Sequence, residues 1–280
     1  SKKIVMLRGH VACVRCVEFV GATMLISLSD AGTLKMWDAG AGTLVKSAET
    51  GEEWPWSSAL SVDRKILLVG FQRGALKAYD TESLACVRTY EGHTEAVYGL
   101  AVHPDGQKFV SVSHDKTARV WDLQSDESEY EFRPLGGMGL SSVAITRDGA
   151  KMAIGSWGGH LALFDYATRE RLLDFTGHTY SVYSLAFSSD ERHLFSARCV
   201  CKFPQILSLF FWSLLTLPLP HSVDKTARVW EVSTGNCLAI CEGHTGNVVQ
   251  LALSPAGAHM VTARSANFPF SFHFLNFNPS

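Results

Sequence analysis

With 280 residues and 46% hydrophobic content, the chain is long enough to bury a sizeable core as one all-β domain. Its 25 basic and 27 acidic residues nearly cancel, which leaves no electrostatic footprint for duplex nucleic acid. Seven cysteines over this length do not make a disulfide framework. Cys86 and Cys237 each stand seven residues before a Gly-His histidine, and both are expected as small apolar core residues of a reduced, intracellular protein. Cys199 and Cys201 have no partner pair at zinc-site spacing, so no metal is expected.

Taken in chain order, the sequence begins at Ser1 in mid-repeat, without a charged-then-apolar signal segment, and reads as part of something longer. From there it repeats about every 42 residues. Gly-His stands at 9–10, 92–93, 177–178 and 243–244, and an aromatic-acid pair closes the repeats at Trp37-Asp38, Tyr79-Asp80, Trp121-Asp122, Phe164-Asp165 and Trp230-Glu231. The second repeat lacks Gly-His and carries Trp54-Pro55-Trp56 where that motif and the inner strand would begin. The third is the clearest. Ala96–Val102 alternates at period 2 and predicts an inner strand, with His103-Pro104-Asp105-Gly106 as a turn. Lys108–Ser113 is the second strand, His114-Asp115-Lys116 a tight turn, Thr117–Asp122 the third strand and Tyr130–Arg133 the outer strand. Asp126–Glu131 between them reads as a solvated acidic loop. The fifth repeat copies this order over 181–187 and 193–197.

The period, the Gly-His openings and the Trp-acid closings resemble the WD-repeat family over nearly all of residues 4–264. The resemblance implies a β-propeller of four-stranded antiparallel blades, with five recognisable repeats and a partial sixth that leaves the ring incomplete. It also implies a buried hydrogen-bonded chain within each intact blade: His93, Ser111, Asp115 and Trp121 in the third, and His178, Ser196, Asp224 and Trp230 in the fifth. The first repeat keeps His10, Ser27 and Trp37 but has Ala31 in the Asp place, with Asp30 shifted by one; the second and fourth have no such set. A His, Ser and Asp that recur with an indole as fourth member read as blade structure, not as a catalytic triad. Partner docking in the family points to Arg15, Tyr98, Ser141 and Tyr183 beside the inner-strand starts, with His114 and Val223 from the turns. Trp54 and Trp56 read either as fillers of vacated core space or as an aromatic contact site at the rim.

The last step of the repeat is 66 residues, because 199–222 adds 24 residues right after Phe195-Ser196-Ala197-Arg198. Phe, Leu, Ser and Pro fill 15 of its 24 positions, all with pyrimidine-rich codons, and removing it, with Arg198 and Ser222 merged into one Ser, restores FSASVDKTARVW in register with VSVSHDKTARVW. A Phe-, Ser- and Pro-rich stretch follows Arg264 at the same repeat position. Both are read as translated intron. On that reading 1–264 is one propeller, cut within its fifth second strand by 199–222, and 265–280 is an irregular tail. A surface loop is the competing account; a membrane span is not supported, since the Pro-free apolar run Gln205–Leu217 has 13 residues against the roughly 20 needed.

These readings converge on a non-enzymatic scaffold for protein or peptide partners, without cofactor or membrane, in the cytoplasm or nucleus. The alternatives are a ligand-sensing or autoinhibitory propeller within a larger protein, a propeller-fold enzyme, and an RNA-binding surface built from Arg15, Arg73, Arg119 and Arg228.

Overall fold

The computed structural model describes residues 6–198, 227–241, 247–253, 259–265 and 272–276; among them there is no helix. Among the described residues, twenty-three strands form six antiparallel sheets, each in simple sequence order. Blade one is Val14–Phe19, Met24–Ser29, Thr33–Asp38 and Thr43–Glu49; blade two is Pro55–Leu60, Ile66–Phe71, Leu76–Asp80 and Cys86–Tyr90. Blade three is Val97–Val102, Lys108–Ser113, Ala118–Asp122 and Ser128–Phe132; blade four is Leu140–Ile145, Lys151–Ser156, Leu161–Asp165 and Arg171–Asp174. Blade five is Val182–Phe187, His193–Arg198, Ala227–Glu231 and Cys237–Cys241, and a sixth sheet has three strands, Asn247–Leu253, His259–Ser265 and Phe272–Asn276.

The inner strand of each blade packs on the inner strand of the next, in series from first to sixth, and among the described residues the sheets are not closed into a ring. Packing on both sides explains why the second strands read as near-continuous apolar runs. In ILLVGF, Leu67, Val69 and Phe71 face Ile26, Leu28 and Leu34 of blade one, while Leu68 faces Phe109 and Trp121 of blade three. The next seams repeat the arrangement. Val110, Val112 and Val120 meet Leu140, Ile154 and Phe164, and Ala153, Leu161 and Leu163 meet Val182, Leu194 and Trp230.

Several expectations need correction. The outer strand of blade three begins at Ser128, so all of the supposed acidic loop beyond Glu127 is strand. Three of its four acids are paired within the chain, Asp126 with Arg88 at 2.5 Å, Glu129 with Lys108 at 2.7 Å, and Glu131 with Arg119. Cys86 and Cys237 are exposed rather than in the core, because each opens an outer strand with nothing stacked beyond it. The second strand of blade five is whole. Leu194 pairs with Trp230 and Ser196 with Arg228, as Phe109 pairs with Trp121 and Ser111 with Arg119. Segment 199–222 therefore enters after the strand's last residue, at a hairpin tip, where added length leaves the ladder untouched. Phe272–Asn276, within the stretch expected to be irregular, pairs with His259–Ser265 as a third strand. Residues 199–226, with Val223 and Asp224, lie outside the described residues.

Candidate functional site

Two polar constructions stand out, one inside the blades and one at the inner-strand starts. In blade three the first closes with a single tautomer. His93 Nδ1 donates to Asp115 Oδ2 at 2.8 Å, its Nε2 accepts from Ser111 Oγ at 2.6 Å, and Ser111 Oγ in turn accepts from Trp121 Nε1 at 2.7 Å. Asp115 also accepts from Thr117 Oγ1 at 2.6 Å and from the Thr94 backbone at 3.1 Å. Burial pushes the Asp115 carboxyl up, but the hydrogen bonds from His93 and Thr117 outweigh it and hold the group well below the usual carboxylate range. The Gly92 that precedes His93 sits at φ +151°, with the indole edge of Trp121 3.3 Å from where a Cβ would stand, which accounts for the Gly of the motif. Blade five repeats the inner part: His178 meets Ser196 at 2.6 Å and Trp230 donates to Ser196 at 2.7 Å. Its fourth member, Asp224, lies outside the described residues. In blade one, His10 and Trp37 meet on Ser27 at 2.6 and 2.7 Å, but Asp30 turns away to Arg15 at 2.5 Å.

The second construction arises from a repeated irregularity. Each inner strand shifts register once near its start, and the residue skipped is Arg15, Trp56, Tyr98, Ser141 and Tyr183 in blades one to five. A β-bulge adds one unpaired residue and re-aims its side chain. It is the bulge, not simple strand alternation, that sets these residues apart from Val97 and Val182. The bulged side chains then meet across blades. Trp56 lies 5.2 Å from Tyr98 between ring centroids, Tyr98 lies 5.0 Å from Trp157, and Trp157 lies 5.2 Å from Tyr183. His114 packs edge-on against Tyr98 at 6.1 Å and Trp157 at 5.6 Å, and its Nδ1 donates to Glu95 Oε2 at 2.5 Å. At the blade-one end, the Arg15 guanidinium stands 4.8 Å over Trp56 and 6.0 Å from Trp54. The result is one continuous arc from Arg15 to Tyr183.

The arc departs from expectation at three places. Ser141 is 1% exposed and donates to the Val182 carbonyl at 2.6 Å, so it ties blade four to blade five and offers nothing outward. Its place is taken by Trp157, which no motif marked. Trp157 follows Ser156 as His114 follows Ser113, in a turn without the Asp that identifies this position elsewhere. Tyr98, at 9% exposure, is covered by its neighbours and serves as the keystone of the arc rather than an open anchor. Trp56 is no separate rim feature, since it holds the bulge position itself and donates to Gln72. Trp54 adopts φ +59°, a costly left-handed conformation for an aromatic residue, fixed by backbone bonds to Asp30 and Gln72 at 3.1 Å.

Three of the four arginines weighed for an RNA surface are engaged within the chain. Arg15 pairs with Asp30, Arg119 stacks at 6.0 Å on Trp121 while pairing with Glu131, and Arg228 stacks at 5.7 Å on Trp230. Among the described residues, no three His, Cys, Asp or Glu side chains group as a metal site, and no helix is long and apolar enough to cross a membrane.

Comparison with known proteins gives the same repeat. The family described as WD domain, G-beta repeat matches at residues 1–38, 84–122, 169–202 and 235–267. The chain is 24% identical over 253 residues to Autophagy-related protein 16 of Arabidopsis thaliana, covering 82% of this chain and 49% of that protein. It is 26% identical over 287 residues to Nuclear distribution protein PAC1 of Arthroderma otae, covering 89% and 57%. Pre-mRNA-processing factor 17 of Saccharomyces cerevisiae is 23% identical over 257 residues, covering 86% and 55%. The chain thus spans about half the length of the curated relatives it matches. With four matched repeats falling on the blades that carry Gly-His openings, and the all-β sheets to go with them, the chain belongs to the WD-repeat family.

Proposed function

We propose that the chain is a non-catalytic scaffold that docks a protein or peptide partner on the bulge arc, inside the cell in cytoplasm or nucleus. The observation that carries this reading is the arc itself: Arg15, Trp56, Tyr98 and Tyr183, each presented by the same bulge, join Trp157 and His114 from strand-ending turns in one continuous, mainly aromatic surface across five successive blades. The His93, Ser111 and Asp115 trio supports a structural role. Ser111 is wholly buried, its oxygen already takes the Trp121 indole proton, and no reacting group can reach it. A second reading, a ligand-sensing or autoinhibitory propeller, draws on the length of the relatives, about twice the span matched here.

A photo-crosslinking side chain at position 183 tests the first reading, with the exposed outer-strand position Val45 as control. The expected result in extract from the source is a discrete adduct from position 183 that position 45 does not give. The same labelling from both positions would remove the docking role from the arc.

A further inference from the structure

Resting on that docking reading, we infer that Met138 is an oxidation site at the edge of the arc, converted by a peroxide to the sulfoxide, which switches partner binding off. Blade four has no Gly-His opening, and Pro134-Leu135-Gly136-Gly137-Met138-Gly139 takes its place. This segment is tied to the arc at two points. The Trp157 backbone donates to the Gly139 carbonyl at 2.9 Å, and a Cβ on Gly139 would stand 2.6 Å from the His114 ring. The Met138 side chain lies over the residue after Trp157, its methyl 2.7 Å from where a Cβ of Gly158 would stand. Met138 is nevertheless 44% exposed, so its thioether borders the proposed docking surface and stays open to a small reagent.

A thioether suits such an edge because it is apolar and adapts its shape to what it meets. It is also a group that a two-electron oxidant attacks. The sulfur lone pair takes one oxygen of hydrogen peroxide: the S–O bond forms, the O–O bond breaks, and sulfur is oxidised as the peroxide is reduced. The proton of the transferred hydroxyl leaves with the departing hydroxide as water. The sulfoxide is polar, so a partner's apolar surface no longer gains by covering it. Gly136 and Gly137, at φ +50° and +99° with nothing within 4 Å of either Cβ position, let the segment turn the new oxygen toward water. The other thioethers divide by burial. Met36 and Met152 are buried, whereas Met6 is exposed but precedes the first strand, so its conversion gauges the dose.

The test treats the whole chain with millimolar hydrogen peroxide, then with dithiothreitol to restore the cysteines, and maps sulfoxides by peptide mass spectrometry. Met6 and Met138 should convert while Met36 and Met152 stay reduced. The photo-crosslink from position 183 is then repeated in extract, and oxidation should weaken the adduct about fivefold or more. Met138→Leu, which keeps apolar bulk without sulfur, should keep its adduct through the same treatment. Met138→Gln, polar from the outset, should lose it without oxidant, at an unchanged melting temperature. Met138 still reduced after Met6 has converted overturns the inference. So does an adduct that survives full conversion of Met138 or its replacement by glutamine, or one lost equally from Met138→Leu. An untreated chain that gives no adduct removes the docking reading itself, and the switch with it.

Discussion

Blades one and three carry the His, Ser and Trp markers at the same repeat positions and are nonetheless in different physical situations. Val14 and Val97 both precede the inner-strand bulge, yet Val14 is 46% exposed and Val97 fully buried. Blade three is stacked between blades two and four, whereas the inner strand of blade one is exposed on its outer face, with Val17 and Phe19 also about half open. The networks differ in parallel. Blade three closes from Trp121 to Asp115, while in blade one Asp30 is given to Arg15 and His10 Nδ1 is buried with no partner among the described residues. The lesson is that a blade's stability is mostly its neighbours'. Sequence markers show that a blade can form, and stacking decides what each residue in it is worth.

The sharpest way to break this comparison is to put a charge at the paired valines. Val97→Asp buries an unpaired carboxylate in a closed seam and should cost about 4 kcal/mol or more, enough to abolish cooperative unfolding. Val14→Asp, on an open face, should change stability by no more than about 0.5 kcal/mol. Thermal melts decide it. Comparable losses at both positions would mean that something covers the blade-one face in solution.

The next largest effect concerns the networks. Trp121→Phe removes the indole donor from Ser111 inside a fully buried chain and should cost roughly 1–3 kcal/mol in denaturant melts. Trp37→Phe makes the same change on Ser27 in the shorter network of blade one and should cost clearly less. Tyr79→Phe in blade two should cost less again, since the tyrosine hydroxyl reaches only the Thr50 carbonyl at 3.4 Å. Equal penalties at Trp121 and Trp37 would show that the Asp115 end adds nothing.

How far the sequence discloses this molecule follows the same division. The second strand of blade three was legible to the residue, because Pro-Asp-Gly and His-Asp-Lys turns bracket an alternating run. The outer strand was not. Ser128 and Glu129 carry no apolar pattern, and they join the sheet through backbone pairing and ion pairs alone. For the arc, position relative to the strand start located Arg15, Tyr98 and Tyr183, and the bulges were invisible because a register shift leaves no residue-type signature. Ser141 was misread for that reason, since nothing in its sequence shows a hydroxyl turned to the next blade. Trp157 escaped because its repeat lacks both Gly-His and the turn Asp, so the turn had no anchor for alignment, although an indole after a strand-ending serine was a signal in hindsight.

The finest test uses pH, where the two blades should fail in separate windows. Burial, aided by the charge of Lys35, lowers the pKa of His10 below the ordinary histidine value. The unfolded chain therefore takes up that proton first, and the contribution of neutral His10 is present above about pH 6.5 and is lost as pH falls below it. Asp115 titrates below its unfolded value, so its contribution is present above about pH 4 and is lost only as pH falls further. Melts of the parent chain, His10→Asn and Asp115→Asn from pH 8 to 3 should therefore converge in sequence. The gap to His10→Asn should close first, between about pH 7 and 5, and should stay below about 1 kcal/mol throughout, since His10 is only partly buried. The gap to Asp115→Asn should hold to about pH 5 and shrink below it. If both gaps close in one window, the carboxylate of blade three is not held by His93 and Thr117 in solution, and the contrast between an open and a closed network loses its electrostatic half.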